Sequence, residues 1–249
     1  MTTKSRIEWT EHTWNPVVGC TKISAGCKHC YAETLARRLQ AMGTPGYEDG
    51  FKKVKVIPER LGQPLDRKQP TVYFVNSMSD LFHTHVPDEF IDRVFDVMEA
   101  AHWHTFQVLT KRGERIARYA RRREVPDNVW IGVSVENKRH GVPRIDHLRN
   151  APAKTRFLSV EPLLEDVGEL DLDGIAWVIV GGESGHGARP MKAEWVRNVQ
   201  RQCEDQGVRF FFKQWGAHGP DGQRRSKKAN GRELDGRTWT DMHSDVRLT

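Results

Sequence analysis

Three cysteines fall within one short stretch, Gly19-Cys20-Thr-Lys-Ile-Ser-Ala-Gly-Cys27-Lys-His-Cys30-Tyr31-Ala32-Glu33. Their spacing is C-x6-C-x2-C, and a helix-forming run, AETLARRLQ, follows at once. Thiolates are soft ligands that select iron–sulfur clusters and zinc. In a reducing compartment, clustered cysteines hold metal more readily than they form disulfides, and three is an odd number for pairing. Three thiolates on one flexible loop reach three irons of a four-iron cluster and leave the fourth open to a chelating ligand. Structural zinc is the alternative: it takes four ligands, and His29 or His12 would supply the fourth. No second C-x2-C or H-x3-5-H half-site stands elsewhere. Spacing alone leaves both readings open. The fourth cysteine, Cys203, repeats with Val196 and Val199 at helical spacing and reads as a buried core thiol.

Ligands on a loop need a scaffold, and from position 70 onward the chain alternates β-rich and helical stretches. The expected strands are 71–77 (TVYFVNS), 105–110 (TFQVLT), 129–135 (VWIGVSV), 155–160 (TRFLSV), 176–181 (AWVIVG) and 208–213 (VRFFFK). They are apolar and rich in Val, Ile and Phe, as strands covered on both faces are. A further strand is expected within 13–19, just before the cysteines. Helices are expected over 87–101, with Pro and acidic residues in its first turn, and over 194–206, ended by Gly207. Repeated β-α units imply a parallel sheet with right-handed crossovers. About six to seven strands fall short of the eight of a closed (β/α)₈ barrel, so the expected fold is α/β, a partial barrel, with a doubly wound sheet as the alternative. The barrel is expected over 1–215, with a Gly-, Pro- and Lys-rich insertion at 43–70. A polar, basic C-terminal extension follows at 216–249, acting as a lid or partly ordered tail.

In β-α barrels the working face lies at the C-terminal ends of the strands, and the cysteines occupy such a βα loop. Each expected strand ends in polar residues. They are Asn76, Ser77, Ser79 and Asp80 after the second, Thr110, Lys111 and Arg112 after the third, and Ser134, Glu136 and Asn137 after the fourth. Glu161 closes the fifth, Gly181-Gly182-Glu183-Ser184 the sixth and Lys213-Gln214 the seventh. Such groups bind amines and ribose hydroxyls by hydrogen bonds, although strand ends are polar in most α/β proteins because loops are solvated. The glycines at 181 and 182 permit a tight turn or a close backbone approach, and the spacing is not that of a dinucleotide loop. The pairs His83/His85 and His102/His104 have chelating spacing that also arises freely in loops.

The cysteine loop resembles that of the radical S-adenosylmethionine enzymes, whose usual spacing is C-x3-C-x2-C. The GC-x6-C-x2-CYA form, with NSMSDLF, LTKR, GVSVEN, SVEPL, GGESG and FKQWG, is similar to a phage-associated, radical-SAM-like family of unassigned function. It is more distantly similar to spore photoproduct lyase, which repairs a thymine dimer in DNA. The resemblance covers nearly the whole chain. It implies a [4Fe-4S] cluster on Cys20, Cys27 and Cys30 that delivers an electron to S-adenosyl-L-methionine and yields a 5′-deoxyadenosyl radical. It places the methionine amine at Asp80 and the ribose at Ser134, Glu136 and Asn137. Asn76, Ser77, Ser79, Lys111, Glu161 and Glu183 complete the cosubstrate candidates. It also implies an electron donor such as flavodoxin or ferredoxin.

Composition bounds the rest. Hydrophobic residues make up 37% and charged residues 29%, which excludes a disordered chain. No apolar run reaches the roughly 18–20 residues that span a bilayer, and the first residues lack the apolar centre of a secretory signal. A cytoplasmic protein with no membrane association is expected. The net charge of +6 is compatible with a nucleic acid or nucleotide substrate. Much of it lies in 118–123 (RYARRR) and 224–228 (RRSKK), which also read as a solvated helix end and tail. The contrasting function is a zinc-stabilised nucleic-acid-binding protein without radical chemistry.

Overall fold

The computed structural model describes residues 3–5 and 7–242; the last part of the expected extension, 243–249, lies outside them. In chain order the elements begin with β1 (Thr3–Lys4), β2 (His12–Trp14), β3 (Val17–Val18), α1 (Tyr31–Ala41), β4 (Lys55–Val56) and β5 (Val72–Val75). Next come α2 (Asp88–Ala100), β6 (Thr105–Thr110), α3 (Gly113–Arg122), β7 (Val129–Ser134), α4 (Pro143–Arg149), β8 (Thr155–Val160) and β9 (Trp177–Gly181). The chain finishes with α5 (Ala193–Asp205), β10 (Arg209–Gln214), α6 (Lys227–Asn230), β11 (Glu233–Leu234) and β12 (Arg237–Thr238). The principal sheet has the order β1-β2-β5-β6-β7-β8-β9-β10. Only β1 is antiparallel to its neighbour; the seven strands from β2 to β10 run parallel.

Period-two alternation divides the strand residues between two cores. Tyr73 and Val75 of β5, Ile131 and Val133 of β7, Val178 and Val180 of β9, and Phe210 and Phe212 of β10 point outward. They meet the apolar faces of the helices, including Phe90, Ile91, Val94, Phe95 and Met98 of α2. Val72, Phe74, Trp130, Phe157, Trp177, Ile179 and Phe211 point inward and form a mostly aromatic plug with Trp9. Trp9 lies 4.9 Å from Phe74 of β5 and 6.2 Å from Trp177 of β9. Those strands stand four places apart, so one ring touches both only because the sheet curls. The barrel stays partial, with β1 and β10 as its edges.

The first expected strand is split. β2 joins the parallel sheet, the chain breaks at Asn15-Pro16, and β3 pairs antiparallel with β4 from the 43–70 region. Proline lacks the N–H that would continue the ladder. The link between β8 and β9 holds no helix; Leu163, Val167, Leu170, Leu172 and Ile175 cover the outer face from an extended loop. The basic run at 118–123 is partnered: Arg122 and Arg123 meet Asp92, Asp96 and Glu99 of α2. Among the described residues no helix is long and apolar enough to cross a membrane.

Candidate metal and cosubstrate site

The cysteine loop runs from β3 to α1 across the C-terminal ends of the parallel strands. Gly19 starts it at φ +83°, and a Cβ there would stand 2.2 Å from the Lys53 carbonyl oxygen, so only glycine fits. The Cys20 N–H donates to Phe51 O at 2.8 Å, which ties the loop to the 43–70 region. A 3₁₀ turn over Ala25–Cys27 presents the second thiol, and Cys30 is the N-cap of α1. All three cysteines are free and half-buried. They line one cavity of about 390 Å³, within the roughly 300–1,000 Å³ usual for ligand sites.

Of the strand-end residues expected to bind a cosubstrate, Asn76, Ser77, Ser79, Asp80, Lys111, Ser134, Glu161 and Glu183 line the same cavity. Asn76 adopts φ 59° and accepts from the Val17 N–H, while Ser79 donates to Val17 O. Both brace β3, the strand that leads into the cysteine loop. Asp80 is buried, and its two oxygens already accept from Phe82 N, Thr110 Oγ1, Lys111 N and Arg112 Nη1. An incoming amine would have to share or displace one of these donors. Glu161 pairs with Lys213 at 3.2 Å, and Glu183 with Arg189 at 2.6 Å.

Glu136 and Asn137 do not share that wall. Glu136 is fully buried, paired with Arg144 at 2.6 Å, and packs behind the cysteine loop, where a Cβ on Gly26 would meet its Cγ at 3.1 Å. Asn137 accepts from His140 N and turns the chain. His29 lines the cavity, whereas His12 packs edge-on against Tyr73 on the sheet. His83 contacts Thr21 Oγ1 at 2.8 Å and accepts from His85 N, and His104 faces the Pro64 and Arg67 carbonyls.

Two arginines hold the cysteine loop: Arg112, visible in the sequence as a strand-end residue, and Arg189, which no motif marked. Arg189 joins Glu183 and donates to Ala25 O at 3.0 Å, holding the cysteine turn from the sixth strand's side. Arg112 reaches the loop from the third: Nη1 stands 3.9 Å from Cys20 Sγ and Nη2 donates to Thr21 Oγ1 at 3.3 Å. Tyr31 donates to Ser77 O. Glu8 and Lys227, 2.9 Å apart, face the cavity from opposite ends of the sequence, and no local pattern announces either.

The three thiols differ electrostatically. Burial, then the Asp80 carboxylate, push the Cys20 thiol up to about 11, with Arg112 working against them. Burial also acts to raise Cys27, but the Lys111 ammonium and hydrogen bonds from Ile23 and Ser24 bring it below the ordinary thiol. Burial raises Glu136 as well, and Lys111, Arg144 and Ser24 together hold it low. Among the described residues, no three His, Cys, Asp or Glu side chains converge to hold a single metal ion. Three soft thiols on one cavity wall, with Cys203 fully buried on α5, are a donor set that fits a cluster with one iron left open.

These features define an α/β partial-barrel protein with a three-thiol cavity at the C-terminal ends of its strands. The chain belongs to the family described as "Protein of unknown function (DUF5131)", which matches residues 4–243. Among curated proteins none matches. Similar solved structures include spore photoproduct lyase complexed with dinucleoside spore photoproduct, at 13% identity and a TM-score of 0.48. A variant of that lyase with bound AdoMet and dinucleoside spore photoproduct is similar at 13% identity and 0.46. Each likeness covers 81% of this chain and 63% of the lyase, so the chain spans less than two thirds of that enzyme's length.

Proposed function

We propose that the chain is a radical S-adenosylmethionine enzyme that acts on a nucleic acid or nucleotide. One observation carries the reading: three thiols on the first βα loop and the polar ends of the strands from β5 to β10 open onto one cavity. Bound there, a [4Fe-4S] cluster supplies one electron to the sulfonium of S-adenosylmethionine and so yields a 5′-deoxyadenosyl radical. Cys20, Cys27 and Cys30 hold the cluster. Lys111 lines the cavity and would meet the carboxylate of the methionine moiety. Asp80, Ser134, Glu161 and Glu183 offer acceptors for an amine and for hydroxyls. Glu136 and Asn137 act from behind as positioning residues, through Gly26 and the turn at His140. The Trp9 and Phe74 floor excludes water, which protects a reactive intermediate. The net charge of +6 supports a polyanionic substrate.

Anaerobic reconstitution with iron and sulfide, reduction in the presence of S-adenosylmethionine, and assay of 5′-deoxyadenosine test the reading. The wild type should be brown and release 5′-deoxyadenosine. Cys20→Ala, Cys27→Ala and Cys30→Ala should each lose both colour and product to the level without protein. A colourless wild type holding one zinc would refute the reading and favour a zinc-stabilised binding protein.

A further inference from the structure

Glu8 and Lys227 stand 219 positions apart in sequence, line the same cavity and pair at 2.9 Å. Their side chains are 28% and 44% exposed, and an ion pair so open to water adds little stability. The carboxylate is only half used. Its Oε1 meets Lys227, while Oε2 is buried and has no hydrogen-bond partner among the described residues. Arg232 is its complement: Nε and Nη2 are buried and equally unpartnered, and the guanidinium lies over the Phe211 ring at 4.7 Å. Burial pushes Arg232 below its ordinary value and the Glu8 carboxylate works against that shift, so the two are electrostatic neighbours. Buried polar atoms without partners are costly, and here an acceptor and two donors are left over side by side.

Lys227 stands in a cationic segment. Residues 216–232 hold Arg224, Arg225, Lys227, Lys228 and Arg232 against one carboxylate, Asp221, which Arg225 already engages at 2.6 Å. The segment closes on itself. Trp215 N donates to Gly231 O at 3.3 Å, Asn230 Nδ2 to Gly216 O at 3.0 Å, and Ser226 caps the turn that carries Lys227. Lys213 of β10 adds a further cation to the cavity wall, 5.9 Å from the Trp9 ring. A lysine ammonium is a compact point charge with three donors, which suits a phosphate. Glu8 occupies that charge in this arrangement.

We infer that Lys227 is a phosphate-binding residue for the substrate, masked by Glu8 and unmasked when Glu8 turns from Lys227 to Arg232. The inference rests on the proposed nucleic acid or nucleotide substrate and names the group that holds its phosphate. One ion pair is exchanged for two: the phosphate takes Lys227, and Glu8 satisfies the leftover donors of Arg232. No covalent bond changes. Lys227 is then the binding residue, and Glu8 and Arg232 are positioning residues that act through it.

The test reads binding, which needs no radical, on the full chain before and after anaerobic reconstitution. The probes are a short fluorescein-labelled single-stranded DNA, followed by anisotropy, and the 5′-deoxynucleotides with their matching nucleosides, followed by calorimetry. Circular dichroism checks the fold of each variant. Lys227→Met should weaken the phosphate-bearing probe about tenfold, as losing a charge-assisted hydrogen bond does, and leave nucleosides unaffected. Its DNA affinity should depend less on salt, by about 0.7 in the log–log slope. Glu8→Gln should tighten binding about two- to fivefold, because the competing ion pair is gone. Arg232→Met should weaken binding in the wild-type background and have no effect in Glu8→Gln, a coupling that simple loss of positive charge does not give. Binding of the nucleotides assigns the phosphate of a free nucleotide, and binding of the DNA alone assigns a backbone phosphate; either upholds the inference. Unchanged affinity in Lys227→Met, or no gain in Glu8→Gln, would overturn it and leave the substrate reading standing. Equal weakening by Arg232→Met in both backgrounds would overturn the exchange. A wild type that binds neither kind of probe would overturn both the inference and the nucleic acid reading, while the 5′-deoxyadenosine assay judges the radical chemistry separately.

Discussion

The candidate site depends on a small knot of side chains as much as on its cysteines. Arg112 donates to Asp80, reaches Thr21 and stands 3.9 Å from Cys20 Sγ, and His83 holds the same Thr21 hydroxyl at 2.8 Å. Burial first, then the Arg112 guanidinium, push the His83 imidazole down to about 4 from its ordinary value near 6.5. The folded chain therefore binds fewer protons at His83 than the unfolded chain between these values. Its contribution to stability is complete above about pH 6.5 and is lost as the pH falls toward 4. Urea titrations from pH 7 to 4.5 should show the stability gap between wild type and His83→Gln shrinking as the pH drops. A gap that stays constant would show that His83 is not neutral in the native state. The sequence made these residues visible as polar strand ends or an H-x-H pair, but it did not reveal that they bind one another. Their contacts cross from residue 21 to residue 112.

At the scale of elements, the strands were legible because apolar runs of about six residues, covered on both faces, leave a strong signal. Which residue of each pair points inward follows from the two-residue period, but what it meets there does not. Gly132 of β7 shows the difference. A Cβ at that position would stand 2.5 Å from the Phe157 ring of β8, so the glycine makes room for the aromatic plug. Gly132→Ala should destabilise the chain by about 1–3 kcal/mol, as overpacking does, read as a lower denaturant midpoint with unchanged slope. Combining it with Phe157→Leu should recover part of that loss, giving a coupling of at least about 0.5 kcal/mol. Purely additive effects would refute the steric account. The split between β2 and β3 and the helix-free link from β8 to β9 were not legible. Both depend on partners distant in sequence, the 43–70 region in one case and the outer sheet face in the other.

For the whole molecule, the segment after residue 215 matters beyond its polar composition. It returns along the β10 edge, where Phe212 N donates to Trp239 O. The Trp215 and Trp177 indoles donate to Glu233 O and Asp241 O. Lys227 then reaches Glu8 across the cavity. A chain stopped at residue 215 would lose both indole partners and expose the edge. It should lose about 2 kcal/mol or more, on the order of 4–8 °C in Tm for a domain of this size. An unchanged melting temperature would mean that the segment only rests on the barrel.

The sequence by itself determined the local things: the three thiols and their spacing, the parallel strands, the principal helices and the polar strand ends. Each is set by interactions within a few residues, such as side-chain period, capping and ligand softness, and so is written in contiguous text. Tertiary structure alone decided which strand-end residues share the cavity and which, like Glu136 and Asn137, stand behind it. It also decided that Arg112 and Arg189 clamp the cysteine loop and that the ends of the chain meet at Glu8 and Lys227. Those facts follow from the curl of the sheet, which brings together groups up to 219 positions apart.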